Sequence, residues 1–346
     1  MANKFIFKKK IKKELNNVDK LSILITGATG TFGKKFVEYL LKNYKNKRII
    51  IFSRDELKQH EMKENLKSQG VDLERLRFFL GDVRDYERLK RAFSKVDIVI
   101  HAAALKQVVA AEYNPIECIK TNINGAENII NAAIDCDVKR VIALSTDKAV
   151  NPINLYGATK LCSDKLFVAA NSLSGAEGTI FSVVRYGNVI GSRGSVIPLF
   201  LKEKKNGLIP ITDERMTRFW ISIDDGVRFV NDSLKIMKGG EIFIPKIPSM
   251  KIIDLAKAIA PNCQFKVVGI RPGEKIHETM VSSDDASKTI EFNDKFVICP
   301  EKDLTLNIDY IKYNNLKGKK VNNQFVYSSE LNKDWLTIEK LKKMIK

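Results

Sequence analysis

The chain has 346 residues, of which 44% are hydrophobic and 29% charged, so it is neither a disordered nor a fibrous polymer. A chain of this length buries about 75% of its unfolded surface, and it needs no disulfide or metal to fold. The formal charge of +18 is spread along the sequence rather than gathered in one stripe, which argues against a nucleic-acid-binding role, and no apolar run approaches the roughly 20 residues of a membrane span.

Residues 1–20 form a basic extension around Lys8–Lys13. Their single apolar cluster, Phe5-Ile6-Phe7, is too short for the core of a signal peptide. Leu21–Thr26 is a short, continuously apolar run, the pattern of a buried parallel strand. A glycine loop follows, then a predicted helix over Phe32–Lys42. Further strands are predicted at Arg48–Phe52, Leu76–Leu80, Ile98–Ala102, Val141–Ser145 and Thr179–Arg185. Helices are predicted at Glu56–Gln69, at Pro115–Cys136 as one long helix opened by proline, and at Tyr156–Ala170. This alternation predicts an α/β protein with a doubly wound parallel sheet of the Rossmann type. After Arg185 the rhythm loosens into a helix at Ser222–Met237, a strand at Glu241–Ile244, a helix at Lys251–Ala260 and a strand at Gln264–Ile270. The expected organisation is a dinucleotide-binding domain over 21–185, joined again by about 220–250, with 186–346 mainly binding substrate. Five cysteines without a Cys-x-x-Cys pair point to reduced thiols and a cytoplasmic location. Three histidines with no close His or Cys neighbour argue against a metal site.

Thr26–Gly33 reads TGATGTFG. Gly27 permits a tight turn, Gly30 lets the backbone approach a pyrophosphate, and Gly33 lets the helix pack on the strand. The helix N-terminus adds free N–H groups and partial positive charge, so Thr29, Thr31 and Phe32 join the candidate cofactor contacts. The end of the second strand selects between nicotinamide cofactors. Ser53 and Arg54, with Lys58 a turn later, suit the 2′-phosphate of NADP, whereas Asp55 suits a helix cap better than a ribose ligand. Asp82-Val83 follow the third strand, where adenine would lie. Ala102, Ala103 and Ala104 are small residues after the fourth strand, where the backbone would pass beside a dinucleotide.

Tyr156 and Lys160 lie four residues apart and share one face of a helix. A neighbouring ammonium favours phenolate and draws a tyrosine pKa from about 10 towards neutrality, the property of a base that accepts a hydroxyl proton while hydride leaves for a nicotinamide. The glycine loop with this pair resembles the extended short-chain dehydrogenase/reductase superfamily. The segments SRDELK (53–58), HAAALK (101–106), STDKA (145–149), NPINLYGATK (151–160), RYGNVIGSRGSV (185–196), MTRFW (216–220) and IRPGEK (270–275) resemble more narrowly the UDP-N-acetylglucosamine 4,6-dehydratases of the inverting type, which open pseudaminic acid synthesis. The similarity begins near Ile23 and runs almost to the C-terminus.

Ordinary sugar-nucleotide 4,6-dehydratases carry Asp-Glu after the fifth strand, where this chain has Asp147-Lys148. Neighbouring side chains on a strand point to opposite faces, so both reach a sugar only from beyond the strand end. The resemblance implies that Tyr156 and Lys160 assist oxidation at carbon 4. A Lys148 made neutral by a lowered pKa removes the carbon-5 proton, a protonated Asp147 serves the leaving carbon-6 hydroxyl, and Thr146 orients the ketone. It implies that Lys106 lies near nicotinamide and sugar, and that Asn188, Arg193, Arg218, Arg271 and Glu274 contact the uridine diphosphate. It also implies NADP, UDP-N-acetylglucosamine as substrate, and a homo-oligomer, with the family suggesting a hexamer. A retaining dehydratase, a sugar-nucleotide 4-epimerase and a non-catalytic NADP-sensing protein are the alternatives.

Overall fold

The computed structural model describes residues 20–175, 178–192, 195–301, 310–311 and 316–345. The basic extension, apart from Lys20, and Arg193 lie outside the described residues. The strands are β1 (Ser22–Thr26), β2 (Arg48–Ser53), β3 (Leu76–Leu80), β4 (Ile98–His101), β5 (Arg140–Thr146), β6 (Ile180–Tyr186), β7 (Asn188–Val189), β8 (Leu208–Ile211), β9 (Thr217–Ile221), β10 (Ile242–Pro245), β11 (Ser249–Lys251), β12 (Gln264–Val267), β13 (Thr279–Val281), β14 (Thr289–Glu291), β15 (Lys295–Ile298), β16 (Lys319–Lys320) and β17 (Tyr327–Ser328).

The main sheet runs β16-β14-β15-β10-β6-β5-β4-β1-β2-β3, parallel from β10 to β3 and antiparallel beyond β10. This is the Rossmann order, with its reversal between β1 and β4. The apolar runs predicted as strands lie at the centre, apart from the edge strand β3, because both faces are covered: Ile23, Leu24 and Ile25 have no exposed surface. Helices α1 (Thr31–Asn43), α2 (Glu56–Ser68), α3 (Tyr86–Phe93), α4 (Val108–Tyr113), α5 (Pro115–Ile119), α6 (Gly125–Asp135) and α7 (Leu155–Ser174) connect the first six strands. The expected single helix over Pro115–Cys136 is instead α5, a π-helical turn at Lys120–Asn124, and α6. The wide turn brings Asn122 to the loop after β4, where its amide donates to Leu105 O (2.9 Å) and accepts from Leu105 N (2.9 Å).

Beyond β6 come α8 (Val196–Glu203), α9 (Ile223–Ile236) and α10 (Ile252–Ile259). Helix α9 packs Val227 and Val230 into the core shared with Phe36 and Val37 of α1. Strand β10 extends the parallel sheet beside β6. A smaller sheet, β11-β9-β7, and the pair β8-β12 enclose a separate core around Phe200, Trp220 and Leu255. Strand β13 pairs with β17, which draws the C-terminal segment towards the carboxyl end of β5. Among the described residues no helix is long and apolar enough to cross a membrane.

Candidate active site

One cavity of about 650 Å³ opens at the carboxyl ends of the parallel strands. Its walls include Gly27, Thr29, Gly30, Thr31, Phe32 and Gly33 from the glycine loop, with Ala102, Ala103 and Lys106 from the segment after β4. Gly27 has φ +63°, and a Cβ there would stand 2.9 Å from the backbone of Ala102 and Ala103. A Cβ on Gly33 would stand 2.4 Å from Ala28 Cα. Both positions therefore require glycine. Helix α1 starts beyond Gly30 with no side-chain cap and no acid in its first turn, so its leading N–H groups face the cavity without an internal partner. These are the donors and the close backbone approach that a dinucleotide pyrophosphate requires, and the residues present fit such a group.

At the end of β2, Ser53, Arg54, Asp55 and Lys58 all line the cavity. Asp55 caps α2: Oδ1 accepts from Lys58 N (3.0 Å) and Oδ2 is paired with Lys58 Nζ. These bonds hold its carboxyl below the usual range. Both oxygens are thus occupied within the chain. Arg54 is exposed, with its guanidinium 3.8 Å from Asp82 Oδ2. Asp82 and Val83 line the same end.

At the other end stand Thr146, Lys148, Tyr156, Lys160 and Asn188. Strand β5 stops at Thr146, and Asp147–Ala149 form a 3₁₀ turn, so Asp147 and Lys148 lie beyond the strand, although only Lys148 of the two lines the cavity. Lys148 Nζ stands 3.0 Å from Asp147 Oδ1, 3.3 Å from Glu278 Oε1 and 3.4 Å from Asn188 Oδ1. Thr146 Oγ1 donates to Asp147 Oδ1 (2.9 Å) and is hydrogen-bonded with the Tyr156 hydroxyl. Asp147 is fully buried and does not itself line the cavity. Its Oδ2 has no hydrogen-bond partner.

Two electrostatic expectations are corrected. Burial pulls the Lys148 ammonium down, but Asp147 and then Glu278 outweigh it and hold its pKa well above the ordinary lysine value. In the free site Lys148 is therefore a cation, not the neutral amine expected. Burial also pushes the Tyr156 phenol up to about 12, against the opposing pull of Lys148 and the Thr146 hydrogen bond, so its expected lowering is absent before substrate binds. Lys160 is drawn down by burial and supported by Asp164 one turn along the helix. Lys106 is likewise drawn down by burial.

The expected diphosphate contacts divide. Asn188 lines the cavity. Arg218 does not: its guanidinium donates to the carbonyls of Thr217 (2.7 Å), Ile276 (3.0 Å) and Lys275 (2.9 Å). Its fork ties β9 to the segment before β13. Arg271 and Glu274 also lie outside the cavity wall, 3.8 Å from each other. Their turn docks on the entry to α7, where Asn154 Nδ2 donates to Gly273 O (2.7 Å).

Sequence reasoning missed Glu278, Asp164, Thr121 and Trp220. Asp164 had a local signal, being one helical turn beyond Lys160 on the same face. Glu278 had a weaker one, a charged residue directly before an apolar strand. Thr121 and Trp220 reach the cavity only through the π turn and the small sheet.

The chain matches the family model described as polysaccharide biosynthesis protein over residues 23–300. It is 56% identical over 334 residues to a Campylobacter jejuni subsp. jejuni serotype O:2 protein named UDP-N-acetylglucosamine 4,6-dehydratase (inverting), covering 94% of this chain and 98% of the relative. It is 41% identical over 337 residues to a Rickettsia canadensis protein named UDP-glucose 4-epimerase, covering 95% and 96% of the two chains. The crystal structure of Pen from Bacillus thuringiensis superposes with a TM-score of 0.85 at 36% identity, covering 95% of this chain and 98% of that one. With its Rossmann sheet, glycine loop and Tyr156/Lys160 helix, the chain belongs to the polysaccharide biosynthesis protein family, on the extended short-chain dehydrogenase/reductase fold.

Proposed function

We propose that the chain is an NADP-dependent UDP-N-acetylglucosamine 4,6-dehydratase that inverts carbon 5, yielding UDP-2-acetamido-2,6-dideoxy-β-L-arabino-hex-4-ulose for pseudaminic acid or a related surface glycan. One observation carries the reading: Lys148, ion-paired with Asp147, shares a cavity wall with Tyr156 and Lys160. The 56%-identical relative bears the same name. The relatives named UDP-glucose 4-epimerase are less similar, and epimerisation at carbon 4 needs no acid–base pair at carbons 5 and 6. The choice of NADP is supported by Asp55, whose oxygens are engaged by Lys58, and by Ser53 and Arg54 beside it.

A bound nicotinamide would supply the hydride acceptor at carbon 4 and the donor at carbon 6, without net redox change. Tyr156 takes the proton of the carbon-4 hydroxyl, and Lys160 favours the phenolate. The carbon-4 ketone acidifies the proton on carbon 5. Lys148 and Asp147 already hold the right number of protons for the next step. Moving one proton across the 3.0 Å from Nζ to Oδ1 turns the resting ion pair into a neutral amine and a carboxylic acid. Desolvation by bound sugar favours that neutral pair. The amine then removes the carbon-5 proton. The acid supplies the proton with which the carbon-6 hydroxyl leaves as water, through Thr146, whose hydroxyl bonds to Asp147 and lines the cavity. Carbon 5 takes a proton from solvent on the opposite face, and Tyr156 returns the carbon-4 hydroxyl proton to solvent, which restores the resting protonation of the site.

The test is incubation with UDP-N-acetylglucosamine in heavy water, with the product followed by NMR. The expected product is a 6-deoxy-4-keto sugar carrying deuterium at carbon 5 in the L-arabino configuration. Recovery of a carbon-4 epimer with its oxygen at carbon 6 retained would replace the dehydratase reading with an epimerase. Retention of the carbon-5 configuration would make the enzyme a retaining dehydratase.

A further inference from the structure

Glu278 is a buried carboxylate, 2% exposed, that the proposed chemistry leaves without a task. It comes from the far half of the chain, immediately before β13, and meets Lys148 at the end of β5. Its backbone is clamped. Its N–H donates to Ser329 Oγ (2.9 Å), and its carbonyl accepts from Ser329 N (2.8 Å). Ser329 is itself bonded to Thr217 Oγ1 (2.7 Å) on β9. The carboxylate is thus fixed from two sides before any ligand arrives. Oε1 stands 3.3 Å from Lys148 Nζ and 3.8 Å from Arg218 Nε, while Oε2 is buried without a hydrogen-bond partner. A buried carboxylate in this state is costly unless its charge serves a partner.

We propose that Glu278 is a positioning residue for the carbon-5 step, its clamped carboxylate holding the Lys148 amine in place and strengthening it as a base. The proposal rests on Lys148 being that base. When Lys148 takes the carbon-5 proton it becomes an ammonium, and Glu278 is the counter-charge already in place for it. Asp147 does not fill this role at that moment, because it carries the proton destined for the leaving hydroxyl. The charged and titratable groups facing Lys148 are Asp147 on its own turn, Tyr156 on α7, Arg218 on β9, and Lys275 and Glu278 on the segment leading into β13. Glu278 Oε1 also stands 3.8 Å from the Arg218 guanidinium.

The test is the pH dependence of dehydration of UDP-N-acetylglucosamine by Glu278→Gln and Glu278→Asp. The Lys148–Asp147 pair is competent only while it holds its shared proton, so activity falls as pH rises through the titration of that proton. Loss of a carboxylate at this distance moves that falling limb to lower pH by about 1–3 units in Glu278→Gln. The plateau below the limb falls because the base is weaker. Glu278→Asp, whose carboxylate sits one methylene farther back, moves the limb the same way by less and serves alone if the glutamine variant does not fold. A lower rate with the limb unmoved in either folded variant, or a limb moved upward, overturns the proposal. Lys148→Ala separates this from the reading beneath it. If that variant abolishes the limb while the Glu278 variants leave it in place, only the role of Glu278 fails. If the limb survives without Lys148, the base assignment itself fails.

Discussion

Asp164→Asn removes a charge from the most enclosed ion pair of the main domain while keeping its shape. Asp164 and Arg185 are both 3% exposed, with Arg185 Nη2 3.3 Å from Asp164 Oδ2, which also accepts from Ser145 Oγ (2.8 Å). Without that carboxylate the Arg185 charge keeps the Met280 carbonyl (2.9 Å) and a partly exposed Asp285 at 3.9 Å. Removing one partner of a buried pair typically costs about 3–5 kcal/mol. For a chain of 346 residues the unfolding entropy is roughly 0.7 kcal/mol per kelvin, so the melting temperature falls by about 4–7 °C. A second consequence reaches the chemistry. Burial already draws the Lys160 ammonium down, and Asp164 is the group that opposes it. Lys160 must stay protonated to assist Tyr156, so activity falls as pH rises through the lysine's titration. In Asp164→Asn this falling limb moves to lower pH, by about 1–3 units. Thermal melting by circular dichroism and the pH dependence of substrate-driven nicotinamide reduction give the two readouts. A melting temperature lowered by less than about 1 °C together with an unmoved limb refutes the reasoning.

Lys148→Ala should accumulate reduced nicotinamide on addition of substrate and lose about 10²–10⁴-fold in dehydration, whereas Tyr156→Phe should show no reduction. More than a tenth of wild-type dehydration in Lys148→Ala would demote the lysine to a positioning role. Arg54→Glu should turn preference from NADP to NAD, read from the cofactor released on denaturation, and NAD alone in the wild-type extract would sink the NADP assignment. Gly33→Ala sets a methyl 2.4 Å from Ala28 Cα and 2.6 Å from Gly27 O, neither of which can swing aside. It should destabilise by about 1–3 kcal/mol and purify without dinucleotide, and full occupancy would contradict this.

The parts of the site that were legible in the sequence are those whose partners are local. The glycine loop announces itself because turn, strand and helix are contiguous, and Tyr156/Lys160 because four residues define a helix face. The central apolar strands were readable because burial on both faces leaves an unbroken apolar run, whereas the edge strand β3 is partly exposed. The π turn was not readable, since Lys120–Asn124 continues a helical pattern and the wide turn is fixed by Asn122 bonding to the backbone of Leu105 in a different loop. Glu278 escaped for the same reason: its meaning depends on Lys148, and only the pairing of β13 with β17 and the clamp by Ser329 bring the two together. The expected electrostatics failed on this point too. A lysine read as an isolated buried base should have a lowered pKa, and the second carboxylate reverses the sign.

Arg218, expected to contact the diphosphate, also faces the carboxylate beside Lys148. Its fork is occupied by three backbone carbonyls, yet its Nε remains 3.8 Å from Glu278. Asp147, Lys148, Glu278 and Arg218 then form two acids and two bases in contact, with Lys275 facing both acids. Arginine does not release its proton, so the one mobile proton of the set belongs to Lys148. That proton has two possible destinations, Asp147 at 3.0 Å and Glu278 at 3.3 Å. Moving it to Glu278 would leave Arg218 without its counter-charge. Moving it to Asp147 keeps the Arg218–Glu278 pair intact and leaves Lys148 and Asp147 both neutral. The low dielectric of a closed cavity penalises the first outcome and favours the second. On the proposed chemistry this arrangement would direct the proton to the acid that serves carbon 6 and leave the amine free for carbon 5, with Arg218 supporting the choice from behind the cavity wall.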